Sequence, residues 1–176
     1  MVRDLRPRDN PHLSPASKPE PAMAHQLIRE QLIPRPMGEV FDFFARAENL
    51  ERLTPPWLGF EILTPLPLDM AEGTLIDYRI RLMGVPMRWK TRIDVWEPGV
   101  RFVDRQLSGP YSLWRHLHEF TEVPGGVLMK DVVDYDLPLG PLGSIAHVAF
   151  VKRQLTAIFG YRFQACEELF GRAPTS

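Results

Sequence analysis

The stretch GPYSLWRHLHEFTEVPGGVLMKDVVDY, residues 109–135, decides the fold. Apolar and polar side chains alternate with a period of two in both of its halves, which is typical of β-strands. The turn-prone residues 123–126, Val-Pro-Gly-Gly, separate the halves, so the stretch predicts a β-hairpin. One face then carries Trp114, His116, His118 and Phe120 beside Met129, Asp131, Val133 and Tyr135. The expected cross-strand pairs are His118 with Asp131, His116 with Val133, and Trp114 with Tyr135. A face with aromatic rings, two histidines and a carboxylate is more typical of a pocket wall than of a plain core.

The composition limits the class of protein. A chain of 176 residues, 44% hydrophobic and 24% charged, fits one soluble globular domain. Its 21 basic and 22 acidic residues give a net charge of −1, which argues against a nucleic-acid partner. The single cysteine, Cys166, excludes an internal disulfide and favours a reducing cytoplasm. No apolar run approaches the ~18–20 residues of a bilayer span, so we expect no membrane insertion.

The chain divides into a leader, a domain and a short tail. Residues 1–24 contain five prolines and few large apolar side chains, which predicts a disordered or loosely ordered leader. One hypothesis is that translation begins at Met23 and that the leader does not belong to the native protein; the alternative is a partner-binding proline-rich tail. The domain is expected to span residues 25–171, and residues 172–176 form the tail.

Periodicity predicts the order of elements within the domain. A first strand is expected at residues 25–33, a short helix with Pro36 as its first residue, and a second short helix at residues 47–53. Four strands follow at 59–63, 74–82, 87–96 and 101–107, with the segment 84–86 interpreted as a turn, and then the hairpin. From residue 148 the apolar period becomes helical and continues to residue 170. Gly160 within that helix predicts close packing or a slight bend.

This order resembles the START-like (SRPBCC) superfamily, which includes polyketide cyclases and dehydrases, coenzyme-Q-binding START-type proteins and relatives of the birch-pollen allergen. The chain looks closest to a bacterial subgroup of ligand-binding domains without an assigned activity. The segments that carry the resemblance are LTPPW at 53–57, FVDRQ at 102–106, residues 109–120, Asp131, Val133, Tyr135, Pro138, Gly140, Phe159 and Arg162. The resemblance implies an α+β helix-grip fold, in which a curved antiparallel sheet of about seven strands surrounds a long C-terminal helix. Two short helices follow the first strand.

The resemblance also implies a cavity between sheet and helix that binds a small hydrophobic ligand, such as a lipid, an aromatic compound or a polyketide-like molecule. The loop at residues 137–143 is either a connector or a gate over the cavity mouth. The residues expected to bind the ligand are Phe44, Leu53, Trp57, Phe60, Tyr78, Ile80, Trp89, Ile93, Phe102, Trp114, His116, His118, Met129, Asp131, Val133, Tyr135, Val151, Leu155 and Phe159.

The candidate catalytic residues are His118, His116 and Asp131. An imidazole titrates near neutral pH and can act as a general acid or base, and Asp131 can orient His118. The same three side chains could instead form a structural polar network or orient a ligand without chemistry. The sequence therefore predicts ligand binding, with a polyketide cyclase/dehydrase-type enzyme using a His/Asp acid–base pair as one alternative. A protein-interaction module, which would have a filled cavity, is another.

Metal binding is a further hypothesis for the His-x-His pattern. Two histidines two residues apart on one strand face can both ligate, with Asp131 completing a facial set and Asp104 as a fourth ligand. We expect no metal and no cofactor, since the resembled family is not known for metals. The basic residues 79, 81, 88, 90 and 92 alternate with apolar ones, so we interpret them as a solvated outer face. Cys166 is expected to be a small buried hydrophobe.

Overall fold

The computed structural model describes residues 25–82, 84–138 and 144–173. The seven strands are β1 (His25–Ile33), β2 (Glu61–Ile62), β3 (Leu75–Leu82), β4 (Val85–Glu97), β5 (Arg101–Ser108), β6 (Leu113–Val123) and β7 (Gly126–Asp136). The helices are α1 (Met37–Phe44), α2 (Leu50–Leu53) and α3 (Ser144–Phe170), with 3-10 turns at Ala47–Asn49 and Pro56–Leu58. The leader, residues 139–143 of the 137–143 loop and the end of the tail lie outside the described residues, as does Met83.

All seven strands form one antiparallel sheet in the order β1-β7-β6-β5-β4-β3-β2. The register of the β6–β7 hairpin is the expected one, with His118 opposite Asp131 and His116 opposite Val133. On the other side of β6, Asp104 of β5 lies opposite His116. The α+β helix-grip fold is therefore confirmed.

Helices and sheet bury three apolar clusters. One joins α1, β6 and the end of α3, and includes Phe41, Phe120 and Phe170. A second joins β1, β7 and the middle of α3, where Leu155 and Phe159 pack on Val133, Tyr135 and Leu27. The third lies under β3 and β4, around Ala47, Ile76 and Ile93. The second cluster places α3 over β7, and this placement decides which strands remain free to line a cavity.

Two local expectations are wrong, and at Gly160 one of two alternatives is excluded. Pro36 is the N-cap rather than the first helical residue, because its extended backbone (ψ 150°) precedes α1 while its carbonyl accepts the Val40 N–H. Val85 and Pro86 belong to β4 rather than to a turn. Proline is tolerated here because the pairing of β4 with β5 starts only at Lys90, so among the described residues no strand lies beside Pro86 on the β5 side to accept a backbone N–H. A Cβ at Gly160 would meet no atom within 4 Å, so no close packing requires this glycine.

Candidate functional site

A cavity of about 180 Å³ lies between the sheet and the helices. It is bounded by α1 and the segment 46–60 on one side, by β3–β6 on another, and by α3 through Leu155, Ile158 and Phe159. The structure brings thirteen of the nineteen predicted ligand-binding residues to its wall: Phe44, Leu53, Phe60, Tyr78, Ile80, Trp89, Ile93, Phe102, Trp114, His116, His118, Leu155 and Phe159.

Six predicted residues lie elsewhere. The side chain of Trp57 is 58% exposed and its ring meets Tyr161 edge-on. Met129 is buried in the cluster below α1, and Asp131 lies behind the histidines. The other three pack between β7 and α3, where the helix covers the strand: Val133, Tyr135 and Val151.

Aromatic rings form much of the wall. Tyr78 stacks on Trp89 with centroids 5.7 Å apart, and Trp114 meets Trp89 edge-on at 5.2 Å. Tyr111, which the sequence did not single out, contacts Trp114 at 4.8 Å. The indole Nε1 of Trp89 is buried and has no hydrogen-bond partner within the described ranges. Because buried donors are normally paired, this N–H is an unused donor at the cavity wall.

At one end of the wall, two carboxylates hold two imidazoles between them. Oδ2 of Asp104 lies 3.0 Å from Nε2 of His118 and 3.6 Å from Nδ1 of His116. Oδ1 of Asp131 lies 2.9 Å from Nε2 of His116 and 3.0 Å from Nδ1 of His118. Each ring thus faces Asp104 with one nitrogen and Asp131 with the other. We call these four residues and Arg162 the polar cluster.

Arg162 completes the polar cluster from α3. Its Nε lies 3.4 Å from Oδ2 of Asp131, and its terminal nitrogen lies 3.2 Å from Nδ1 of His118. The guanidinium also stands over the ring of Phe44, 5.1 Å from the centroid. In the sequence, Arg162 stands out only as one of the residues that carry the family resemblance. The available signal was a charged residue one turn after Phe159 on the apolar side of the helix.

Burial and neighbouring charges shift the pKa values of the polar cluster in opposite directions. Burial alone would raise the pKa of Asp131, but Arg162 and hydrogen bonds with both histidines hold it well below its ordinary value. The pKa of Asp104 is also lowered, because the two histidines and Arg162 outweigh its burial. Burial, together with His118, lowers the pKa of His116 despite the neighbouring carboxylates. Both carboxylates are therefore ionised near neutral pH, and His116 is neutral.

The fold and this lining define a class of protein. The family model described as polyketide cyclase / dehydrase and lipid transport matches residues 33–163. The chain belongs to this family. A search of the curated proteins finds no match.

Solved structures share the architecture. A nucleoside-diphosphate sugar epimerase from Corynebacterium glutamicum is 27% identical over 81% of this chain, with a TM-score of 0.59, and the match spans 28% of the epimerase chain. The Zhui aromatase/cyclase from Streptomyces sp. R1128 is 13% identical (82% of this chain, 92% of that one, TM-score 0.65). Protein TTHA0849 from Thermus thermophilus is 20% identical (82% and 95%, TM-score 0.59). The last two show the fold alone.

Among the described residues, no helix has the length and apolar character that spanning a bilayer requires.

Proposed function

We propose that the protein binds a small, largely apolar molecule in the cavity between the sheet and α3, with a polar atom of that molecule held at the wall. The observation that carries this proposal is the cavity itself, about 180 Å³ and lined mostly by aromatic and aliphatic side chains. Ligand sites are typically concave, apolar and furnished with a few polar groups. Burial of apolar ligand surface would drive binding, at ~25 cal/mol per Å².

The volume supports a ligand of one or two rings. An apolar cavity of about 150 Å³ is large enough to bind benzene. A cavity of about 180 Å³ therefore suits a compact aromatic or alicyclic molecule better than a long acyl chain.

The unpaired indole of Trp89 supports a hydrogen-bond acceptor on the ligand. A carbonyl or ether oxygen near Nε1 would satisfy a donor that has no partner in the described part of the chain. At the end of the wall, Asp104, His116 and His118 offer further polar contacts. We therefore propose an oxygenated ring compound as the ligand class.

The test starts from protein purified under native conditions, extracted with organic solvent and analysed by mass spectrometry. A stoichiometric small hydrophobic compound would support the proposal. The same protein is then titrated with a panel of one- and two-ring phenols and ketones, followed by tryptophan fluorescence. An empty extract together with no saturable binding across the panel would overturn it.

Three variants locate the site. Ile158→Trp fills the cavity wall on α3 and is expected to weaken binding at least tenfold. Phe163→Trp changes an outward-facing residue of the same helix, 40% exposed, and should leave binding unchanged. Trp89→Phe removes the N–H together with the five-membered ring, so an oxygenated ligand should lose about fivefold more affinity, the value of one hydrogen bond, than a hydrocarbon of the same size. Thermal unfolding of each variant controls for the fold.

A second candidate is an acid–base enzyme of the cyclase or dehydrase type. The observation that favours it is the pair of cavity-lining imidazoles, each in contact with ionised carboxylates. This function predicts that His118→Ala abolishes turnover of a bound substrate while its affinity changes little. Equal losses of affinity and turnover would favour binding without chemistry.

The cavity counts against the third alternative, an interaction module, because that alternative requires a filled interior.

A further inference from the structure

Three side chains present metal-ligating atoms to the same point of the cavity wall. They are Asp104, His116 and His118, and their ligating atoms all lie within 4.8 Å of one another. All three line the cavity, and both histidines are buried. Asp131, which the sequence suggested as a ligand of such a set, lies on the opposite side of the two rings.

The two separations from Asp104 are close to those of atoms that share one metal ion. Zinc binds imidazole nitrogen and carboxylate oxygen at about 2.0–2.2 Å, so two such ligands at about 90–110° are about 3.0–3.5 Å apart. Oδ2 of Asp104 lies 3.0 Å from Nε2 of His118 and 3.6 Å from Nδ1 of His116. Only a shift of the order of 0.1 Å would bring the second distance into this range.

Asp131 supplies the supporting contact that metal-bound histidines require. Its Oδ1 can accept the N–H of His116 at Nε2 and of His118 at Nδ1. With the protons on these nitrogens, the lone pairs of the other two nitrogens are directed to Asp104; at His118 this requires that Nδ1 donate to Asp131 and give up its contact with the Arg162 guanidinium. Carboxylates that fix the tautomer of a ligating imidazole in this way are the usual outer contacts of metal sites. Arg162 in turn holds Asp131 in place.

Charge also favours a cation. The polar cluster brings two carboxylates together with one guanidinium, so its acidic side chains outnumber its permanent cation. A buried excess of negative charge is unfavourable without a counter-charge. A divalent ion between Asp104 and the rings would balance this negative charge on the side of the rings opposite to the contact of Arg162 with Asp131.

We propose that Asp104, His116 and His118 bind one divalent transition-metal ion at the cavity wall, with its remaining coordination positions directed into the cavity. Two imidazoles and one carboxylate suit Zn²⁺, Fe²⁺ and Co²⁺ rather than Ca²⁺ or Mg²⁺. The site does not depend on the small-molecule ligand of the proposed function, and it is tested without that ligand.

The first experiment titrates the full chain, stripped of metal with a chelator, with Zn²⁺ and with Co²⁺. We expect one ion per chain, a rise in Tm on binding, and visible Co²⁺ absorption bands typical of nitrogen and oxygen ligands. A folded wild-type protein that takes up neither ion, or takes up only non-stoichiometric amounts without a change in Tm, would overturn the proposal.

Variants then assign the ligands. Asp104→Asn keeps the size of the side chain and an oxygen acceptor for His118, but should lower Zn²⁺ affinity at least a hundredfold and change the Co²⁺ spectrum. Asp131→Asn, a change at a positioning residue, should weaken binding tenfold to a hundredfold while the Co²⁺ bands stay in place. His25→Ala, on β1, is the control and should bind as wild type. Equal affinity in wild type and Asp104→Asn would place the ion elsewhere and overturn the assignment.

Discussion

The imidazole rings of His116 and His118 lie 3.7 Å apart, centroid to centroid. Both contact the same oxygen of Asp131, at 2.9 Å and 3.0 Å. Two cationic rings at this distance would repel each other strongly in a buried site. One carboxylate oxygen of Asp131 thus supports both rings.

Removal of that support should be costly. Asp131→Ala leaves Arg162 and both imidazoles without their buried partner, so we expect a loss of about 3–5 kcal/mol in the free energy of unfolding. Asp134→Ala, on the outer face of the same strand, breaks only the partly exposed contacts of Asp134 with Arg115 and Gln26 and should cost under about 1 kcal/mol. Urea unfolding measures both. Similar losses in the two variants would contradict the central role of Asp131.

Phe41 should be a main contact between α1 and the sheet. Its ring packs against Trp96, Phe102 and Phe120, with centroids 5.4–6.2 Å apart. Phe41→Ala is expected to cost about 3–5 kcal/mol, because it leaves a cavity in a buried cluster. Phe150→Ala, at a side chain that is 41% exposed, should cost about 0.5 kcal/mol or less. Chemical denaturation of the pair tests this difference.

Gly160 offers a stabilising substitution. A Cβ at this position meets nothing within 4 Å, and alanine is favoured over glycine inside a helix by about 1 kcal/mol. Gly160→Ala should therefore raise Tm by a few degrees. Gly171→Ala should lower it, because Gly171 follows the helix with a φ of 91°, where a side chain is strained. Calorimetry that finds a lower Tm for Gly160→Ala would show that the helix needs a glycine at 160.

Cys166 should make stability fall at alkaline pH. Burial raises the pKa of its thiol from 9.0 to about 11, so the unfolded chain releases this proton at lower pH than the folded one. The contribution is fully present below pH 9 and is lost as the pH rises toward 11, for a total of about 3 kcal/mol. Cys166→Ala should flatten the stability profile over this window. A profile unchanged by the substitution would mean that the thiol is accessible in the folded state.

The sequence predicts the hairpin in detail because the alternation and the turn together leave one register. The cavity wall is less predictable, since the inward faces of all strands look alike in sequence. Val133 and Tyr135 alternate in the same way as Trp114 and His116. The difference between them is that α3 covers β7 and leaves β6 open.

The polar cluster depends on contacts that no local pattern encodes. Asp104 lies opposite His116 because the connection between β5 and β6 sets this register, which alternation within either strand does not determine. Arg162 reaches Asp131 because the packing of α3 on the sheet places residue 162 of the helix beside residue 131 of β7. Both contacts are properties of tertiary packing. Packing also determines that Asp104 and Asp131 approach the imidazole rings from opposite sides.

The register of the hairpin has a consequence for how the chain tolerates length changes. His118 pairs with Asp131, and side chains alternate between the two faces of the sheet. An insertion of one residue at 124–125 that shifted the pairing by one position would turn Asp131 toward solvent and bring Lys130 or Val132 beneath the rings. Insertions of two residues would preserve the face but change the partner. Lengthening of this turn therefore keeps the polar cluster intact only where the added residues stay in the loop or form a bulge, so that His118 still faces Asp131.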